Sequence, residues 1–376
     1  MNLVLTNARL VLSDRVVLGT LHVSAGRIVD VQAGPTALAG ALDMDGDYLL
    51  PGAVDLHTDN LERQVQPRAG ARWPSRSALL AHDAQCAAAG ITTVLDALCV
   101  GDLGFDEDRP RTCTDGVADI TAMAPTGLLR AEHYLHLRCE LPAPGMPDLL
   151  QDLAAHPLLR LVSLMDHTPG TGQYGDMVRY RAMRLRDGEP AAEIDTRIAT
   201  LQDQQRRHRP ANRAALLAML AGRAILASHD DRTPEDVAEN VADGITIAEF
   251  PVTETAARAA RGTGQTVIAG APNVVRGGSH TGNVAVLDLL RAGLVDALAS
   301  DYVPVSLFEA AFLAAAQAGI TLPQAVALIT DAPARMVGLT DRGRIEPGLR
   351  ADLVRIRLHQ AAPVIRQVWL AGSRVV

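Results

Sequence analysis

Between residues 52 and 340 the chain repeats one unit, a short apolar run closed by polar residues and followed by a longer stretch of helical composition. The apolar runs are AVDLHTD, ITTVLDAL, HYLHLRCEL, LRLVSLMDH, AILASHDD, ITIAEFP, TVIAGAP and DALASDY. The segments between them, such as RSALLAHDAQCAAAG, PEDVAENVADG and NVAVLDLLRAGL, read as helices, several stopping at a Gly C-cap. Eight β-α units in succession predict an α/β fold, a (β/α)8 TIM-like barrel. Residues 175–222, rich in Arg, Glu and Gln, read as an added helical insertion or a long crossover.

Both ends read differently. LVLTNARLVL, GTLHVSAGRIVDVQAG and ALDMDGDYLLPG show strand-like alternation, with Leu3 and Leu5, then Ile28 and Val31, set between Gly and Asp turns. GRIEPGLRADLVRIRLHQAAPVIRQVWLAGSRVV has the same character. The expectation is a small β-sandwich domain built from both termini, residues 1–51 with 345–376, flanking a barrel over 52–344.

Composition narrows the function. The chain has 376 residues, 48% of them apolar, enough for a large core. Aromatics are 3% and the formal net charge is −8, so a nucleic-acid binder built on stacked rings or a broadly basic surface is excluded. No apolar run reaches the ~18 residues of a membrane span, and MNLVLTNARLVL lacks the basic start and cleavage site of a leader. Four cysteines (Cys86, Cys99, Cys113, Cys139) without CxxC spacing read as reduced thiols. A cytoplasmic protein follows, for which a homo-oligomer is compatible. There is no lysine, so all 35 basic residues are arginine.

The polar residues that close the strands carry the chemistry. His57 and Asp59 are i and i+2 on one strand and point the same way. Glu140 closes LRCE, His167 closes SLMDH, His229 closes LASHD and Asp301 closes ALASD. Singly, a strand-end His or Asp is more often a hydrogen-bonded loop residue; Asp59 reads equally as a helix cap and Glu140 as the partner of an arginine. Six such groups at one end of successive strands are another matter, because barrel active sites lie at that end. Imidazoles with carboxylates suit zinc first, with manganese or iron as alternatives.

PGAVDLHTDNLE after a β-rich start, ALASD near the end and PGLRADLV behind it resemble the amidohydrolase superfamily. Within it, LHTDNLERQVQPR, AHDAQCAAAGITTVLDAL, LRCE, GAPNVVRGGSHTGN and ASDYVP resemble the α-D-ribose 1-methylphosphonate 5-triphosphate diphosphatase family of the bacterial carbon–phosphorus lyase pathway. The resemblance implies a phosphorylated ribosyl phosphonate as substrate, the 5-phosphate and pyrophosphate as products, and two divalent ions. The superfamily opens with His-x-His, where this chain has Asp59. Many members bridge two metals with a carboxylated lysine, which is impossible here, and the resemblance makes Glu140 the bridge. The superfamily sets its later histidines on the fifth and sixth strands, whereas counting here gives the fourth for His167 and the fifth for His229.

A bound divalent ion lowers the pKa of water from about 15.7 to about 7, and Asp301 is the natural general base. Arginine forks suit phosphate oxygens. The candidates are Arg63, Arg68, Arg179, Arg181 and Arg276, with the Gly277-Gly278-Ser279 turn offering backbone N–H groups and His280 and Asn283 contacting phosphate, ribose or leaving oxygen. The same metal shell would serve C–N hydrolysis by a deaminase, cyclic amidase or deacetylase; the arginines and GGSHTGN favour phosphate. A non-catalytic barrel scaffold is the reading of another class, and it would have lost ligand residues.

Overall fold

The computed structural model describes residues 2–68, 70–104, 108–279 and 281–376. Eight parallel strands form the central sheet: β1 (Ala53–Thr58), β2 (Ile91–Val100), β3 (Glu132–Glu140), β4 (Leu159–Met165), β5 (Ile225–His229), β6 (Ile247–Glu249), β7 (Thr266–Gly270) and β8 (Ala297–Ala299). They pair in sequence order from β1 to β8, the arrangement that helical crossovers between neighbouring strands produce. Each coincides with one of the eight apolar runs, with Ile91–Val100 running two residues past its run and Glu132–Glu140 starting one residue before its own. The ends of this sheet meet at the mouth: the Asp301 amide donates to the His57 carbonyl (2.9 Å) and the Asp59 amide to the Asp301 carbonyl (3.2 Å). The barrel thus closes beside the residues that matter for chemistry.

Its interior is filled by Val54, Leu56, Leu95, Leu161, Ile247 and Ile268, with small Ala227 and Ala297 where the space narrows. On β3 alternation is strict: Leu135, Leu137 and Cys139 enter the layer beneath the outer helices. Tyr134, His136, Arg138 and Glu140 share the opposite face. All four cysteines are buried and unpaired with one another. Between β4 and β5 run the helices Met177–Arg186 and Ala191–Leu220. No helix among the described residues is long and apolar enough to cross a membrane.

The terminal strands build a second, separate sheet. Asn2–Val11 pairs antiparallel with Val16–Ser24, which pairs with Arg27–Ala33. Tyr48–Pro51 lies parallel to Asn2–Val11 and antiparallel to Leu353–His359, so the two ends of the chain hydrogen-bond directly. Ala362–Leu370 and Ser373–Arg374 continue outward. The sheet is therefore mixed, not purely antiparallel. It wraps on itself, since the Ile28 amide donates to Leu349 and the Ala351 amide to Gly26. Leu5, Leu10, Leu21, Ile28, Leu49, Leu353 and Trp369 fill the enclosed core.

Candidate active site

His57 is fully buried at the end of β1. Its Nδ1–H donates to Glu249 Oε1 (2.8 Å) at the end of β6, and Ser163 on β4 donates to the other Glu249 oxygen (2.7 Å). A carboxylate on Nδ1 fixes the tautomer and leaves Nε2 as a bare lone pair. Nε2 has no hydrogen-bond partner. Burial, then the charge of Arg138, holds the His57 pKa well below the usual imidazole value, so the ring is neutral.

His229, at the end of β5, packs 5.9 Å from the His57 ring and 5.7 Å from that of His167. Its Nε2 is likewise without a hydrogen-bond partner and lies 3.7 Å from Glu249 Oε2. Burial opposes a charge on His229, but Asp230 and Glu249 outweigh it and the pKa is raised. Asp230 has a left-handed backbone (φ 59°). That conformation places Oδ2 3.2 Å from His229 Nδ1 and 3.9 Å from His167 Nε2, and neither contact is a hydrogen bond.

Glu140 finds a histidine and not an arginine. His167 Nδ1–H donates to its Oε2 (2.7 Å) and the His167 amide to its Oε1 (2.9 Å). Asp59 stands at the N-terminus of the helix Asn60–Val65 but makes no side-chain cap bond. Its Oδ1 has no partner, and Oδ2 lies 3.6 Å from Arg138 Nη1. Asp301 follows β8 with a left-handed backbone (φ 55°). Burial, then the nearby Asp59 carboxylate, pushes its pKa up to about 8 against the pull of Arg138 and His229.

His57, Arg138, His229, Asp230, Arg276 and Asp301 line a cavity of about 160 Å³, whereas Asp59, Glu140, His167 and Glu249 do not line it. A larger one, about 1080 Å³, shares Gln173, Ser279, Thr281 and Asn283 with it and extends beneath the helix Met177–Arg186 toward Arg179, Arg186 and Arg232. The expected arginines divide accordingly. Arg276 lines the inner cavity and Arg179 the outer, where Arg179 Nη1 donates to the Thr281 and Gly282 carbonyls (3.2 and 2.8 Å). Arg63 donates to the Tyr302 carbonyl (2.7 Å) and Arg181 pairs with Asp195 (2.8 Å). Arg68 is exposed, and Arg63, Arg68 and Arg181 line neither cavity.

The glycine turn is not the anion nest expected of it. The Gly277 and Gly278 amides donate to Val274 and Asn273, ending the short helix Ala271–Arg276. Backbone N–H groups committed to a helix C-cap are not available to phosphate. Ser279 and Asn283 do reach both cavities. His280 lies outside the described residues. Asp230, Glu249, Arg138 and Arg232 escaped the sequence reading. Arg138 had a usable signal, because it stands two residues before Glu140, the spacing that had singled out His57 and Asp59.

A family model described as the amidohydrolase family matches residues 273–376. Over 99% of this chain and 100% of the relative, the sequence is 43% identical to the α-D-ribose 1-methylphosphonate 5-triphosphate diphosphatase of Escherichia coli K12. The chain belongs to that family. An adenine deaminase of Nitratidesulfovibrio vulgaris is 26% identical over the whole of this chain, which spans 57% of that longer protein. Among solved structures, the N-acetyl-D-glucosamine-6-phosphate deacetylase of Mycobacterium smegmatis superposes with a TM-score of 0.66 at 18% identity, covering 100% of both chains. The N-isopropylammelide isopropylaminohydrolase of Burkholderia multivorans gives 0.61 at 20% identity, covering 100% of this chain and 98% of the other. These two share the fold, an amidohydrolase barrel with its accessory sheet. Within this diphosphatase family member His167 follows the fourth strand and His229 ends the fifth, while the sixth ends in Glu249.

The donor atoms fit a divalent ion. His57, His229 and Glu249 bring one atom each within 4.8 Å of one another, and so do His167, His229 and Asp230. His57 Nε2, His229 Nε2, Asp59 Oδ1 and Asp230 Oδ2 are buried without hydrogen-bond partners. Orphaned lone pairs of this kind are rare in a folded core unless a ligand completes them.

Proposed function

We propose that this protein is a metal-dependent phosphoanhydride hydrolase that converts α-D-ribose 1-methylphosphonate 5-triphosphate to the 5-phosphate and pyrophosphate. The observation carrying this reading is the 160 Å³ cavity, where bare imidazole nitrogens and carboxylate oxygens face two arginines, Arg138 and Arg276. The 43% identical relative of that name supports the same substrate. A pocket for a neutral C–N substrate has no use for two cations, which argues against a deaminase or amidase acting on an uncharged substrate.

The proposed ligands are His57, Asp59, Glu140, His167, His229 and Asp301, with Asp230 beside them and Glu249 orienting His57. When bound there, zinc or a similar ion supplies a lowered water pKa and polarises the phosphoryl group. Asp301 takes the proton of the attacking water. The water oxygen forms the new P–O bond, the bridging P–O bond of the α–β anhydride breaks, and pyrophosphate leaves with the electron pair. Arg276, Ser279 and Asn283 hold phosphate or ribose oxygens at the outer edge, from which the larger cavity accommodates the rest of the substrate.

Phosphorus NMR on a panel of ribosyl triphosphates, nucleotides and N-acyl compounds tests the substrate, with pyrophosphate release expected from the first class alone. His229→Ala is expected to lose bound metal, measured by elemental analysis, together with all turnover, while its circular dichroism spectrum stays unchanged. Normal metal content in that variant removes His229 from the ligand set. Glu249→Ala is expected to weaken metal binding by about 10–100-fold through the freed His57 ring, read by competition with a chelating indicator. An unchanged affinity would mean that His57 needs no orientation from Glu249.

A further inference from the structure

Three arginines among the described residues are less than 9% exposed, and two of them are fully engaged. Arg213 donates to Asp243 (2.7 Å) and to the Asn240 side chain (2.9 Å). Arg342 holds Glu132, Asp341 and Thr93. The third, Arg138, is 7% exposed and different. Its Nε and Nη1 have no hydrogen-bond partner, and the closest ion-pair contact it makes is the 3.6 Å approach to Asp59. An incompletely satisfied guanidinium inside a protein bears its desolvation penalty without the bonds that offset it. Such a group is kept where something outside the chain completes it.

Its position says what that something is. Strand alternation on β3 aims Arg138 to the same side as Glu140, and it lines the inner cavity with His57, His229, Asp230 and Asp301. A planar fork with free N–H groups in a buried pocket matches a tetrahedral oxyanion, whose oxygens accept two parallel hydrogen bonds. A carboxylate of the protein would also match, yet Asp59, the nearest, stands too far and too poorly aligned to bond.

We propose that Arg138 is a catalytic residue that donates to non-bridging oxygens of the phosphoryl group under attack, taking up the negative charge that builds there as the bridging P–O bond breaks toward pyrophosphate. This inference rests on the triphosphate reading. It separates Arg138 from Arg276, which lies exposed at the rim and serves capture of the substrate more than its chemistry.

The test uses the full-length protein with metal content matched between variants. Arg138→Met is expected to lower kcat for the ribosyl triphosphate about 10²–10³-fold and to weaken binding of ribose 5-phosphate, which carries the phosphoryl group left on the product side, about 10–150-fold by calorimetry. Arg138→Lys, which keeps the charge and loses the fork, is expected to fall between Met and the native protein on both readouts. Native turnover and ribose 5-phosphate affinity in Arg138→Met overturn the inference alone. So do loss of metal or failure of both variants to fold, which would make Arg138 a counter-ion that positions Asp59. If the native protein itself neither binds ribose 5-phosphate nor cleaves the triphosphate, the triphosphate reading falls and the inference falls with it.

Discussion

Asp301→Asn is expected to lower kcat by about 10²–10⁴-fold, the range for losing a positioned general base, and to leave pyrophosphate affinity within about twofold. The separation follows from geometry. Asp301 closes the barrel through its backbone, whose amide and carbonyl bond to His57 and Asp59, and those bonds survive an isosteric amide. What the amide cannot do is accept a proton. Single-turnover rates measured beside calorimetry decide the matter. Parallel losses in kcat and in pyrophosphate binding would mean that Asp301 holds the substrate and does not move its proton.

The largest stability effect is expected away from the site. His133 on β3 lies between Asp96 (2.8 Å) and Asp83 (3.3 Å), and His82 contacts the other oxygen of Asp96 (2.7 Å). All four side chains are buried. Burial opposes a charge on His133, but the two carboxylates outweigh it and lift its pKa to about 10. Asp96 is held down at about 2 because His133 and His82 together overcome its burial. His133→Ala strands two carboxylates without their shared cation and is expected to cost about 3–5 kcal/mol in urea unfolding. The pH dependence has a definite sign. A folded pKa raised from 6.5 to about 10 gives stability that is complete below about pH 6.5 and lost as pH rises through 10. Asp96 adds stability present above about pH 4 and lost as pH falls toward 2. Native protein unfolding with equal ease at pH 7 and pH 10 would sink this account. The network also touches the site from behind, because His82 meets the side chain of Asn60, the residue after Asp59.

How much of this was legible beforehand depends on how local the signal is. All eight barrel strands could be read from apolar runs, because a strand buried on both faces must be apolar along its length, whatever its neighbours are. His57 and Asp59 were legible for a related reason: strand alternation is a local rule, and polar residues at the ends of barrel strands face the mouth. The same rule applied to β3 would have picked out Arg138 together with Glu140.

Pairing was another matter. Nothing near His57 in the chain announces Glu249, 192 residues away, which fixes its tautomer, nor does anything near Glu140 announce His167 as the group that takes both its oxygens. Asp230 depends on a left-handed backbone that local sequence does not encode for aspartate. The arginines behaved likewise: the chain order placed Arg63, Arg68 and Arg181 near strand ends, but Arg63 and Arg181 go to partners outside both cavities and Arg68 is exposed away from them. Gly277 and Gly278 read as an anion nest until the Ala271–Arg276 helix claimed their amides. The sequence by itself determined the barrel, the accessory sheet and the residue types gathered at the mouth, since these rest on periodicity and burial. The tertiary structure alone decided which of those residues meet, because charge pairing and hydrogen bonding act between atoms that the chain separates by tens to hundreds of residues.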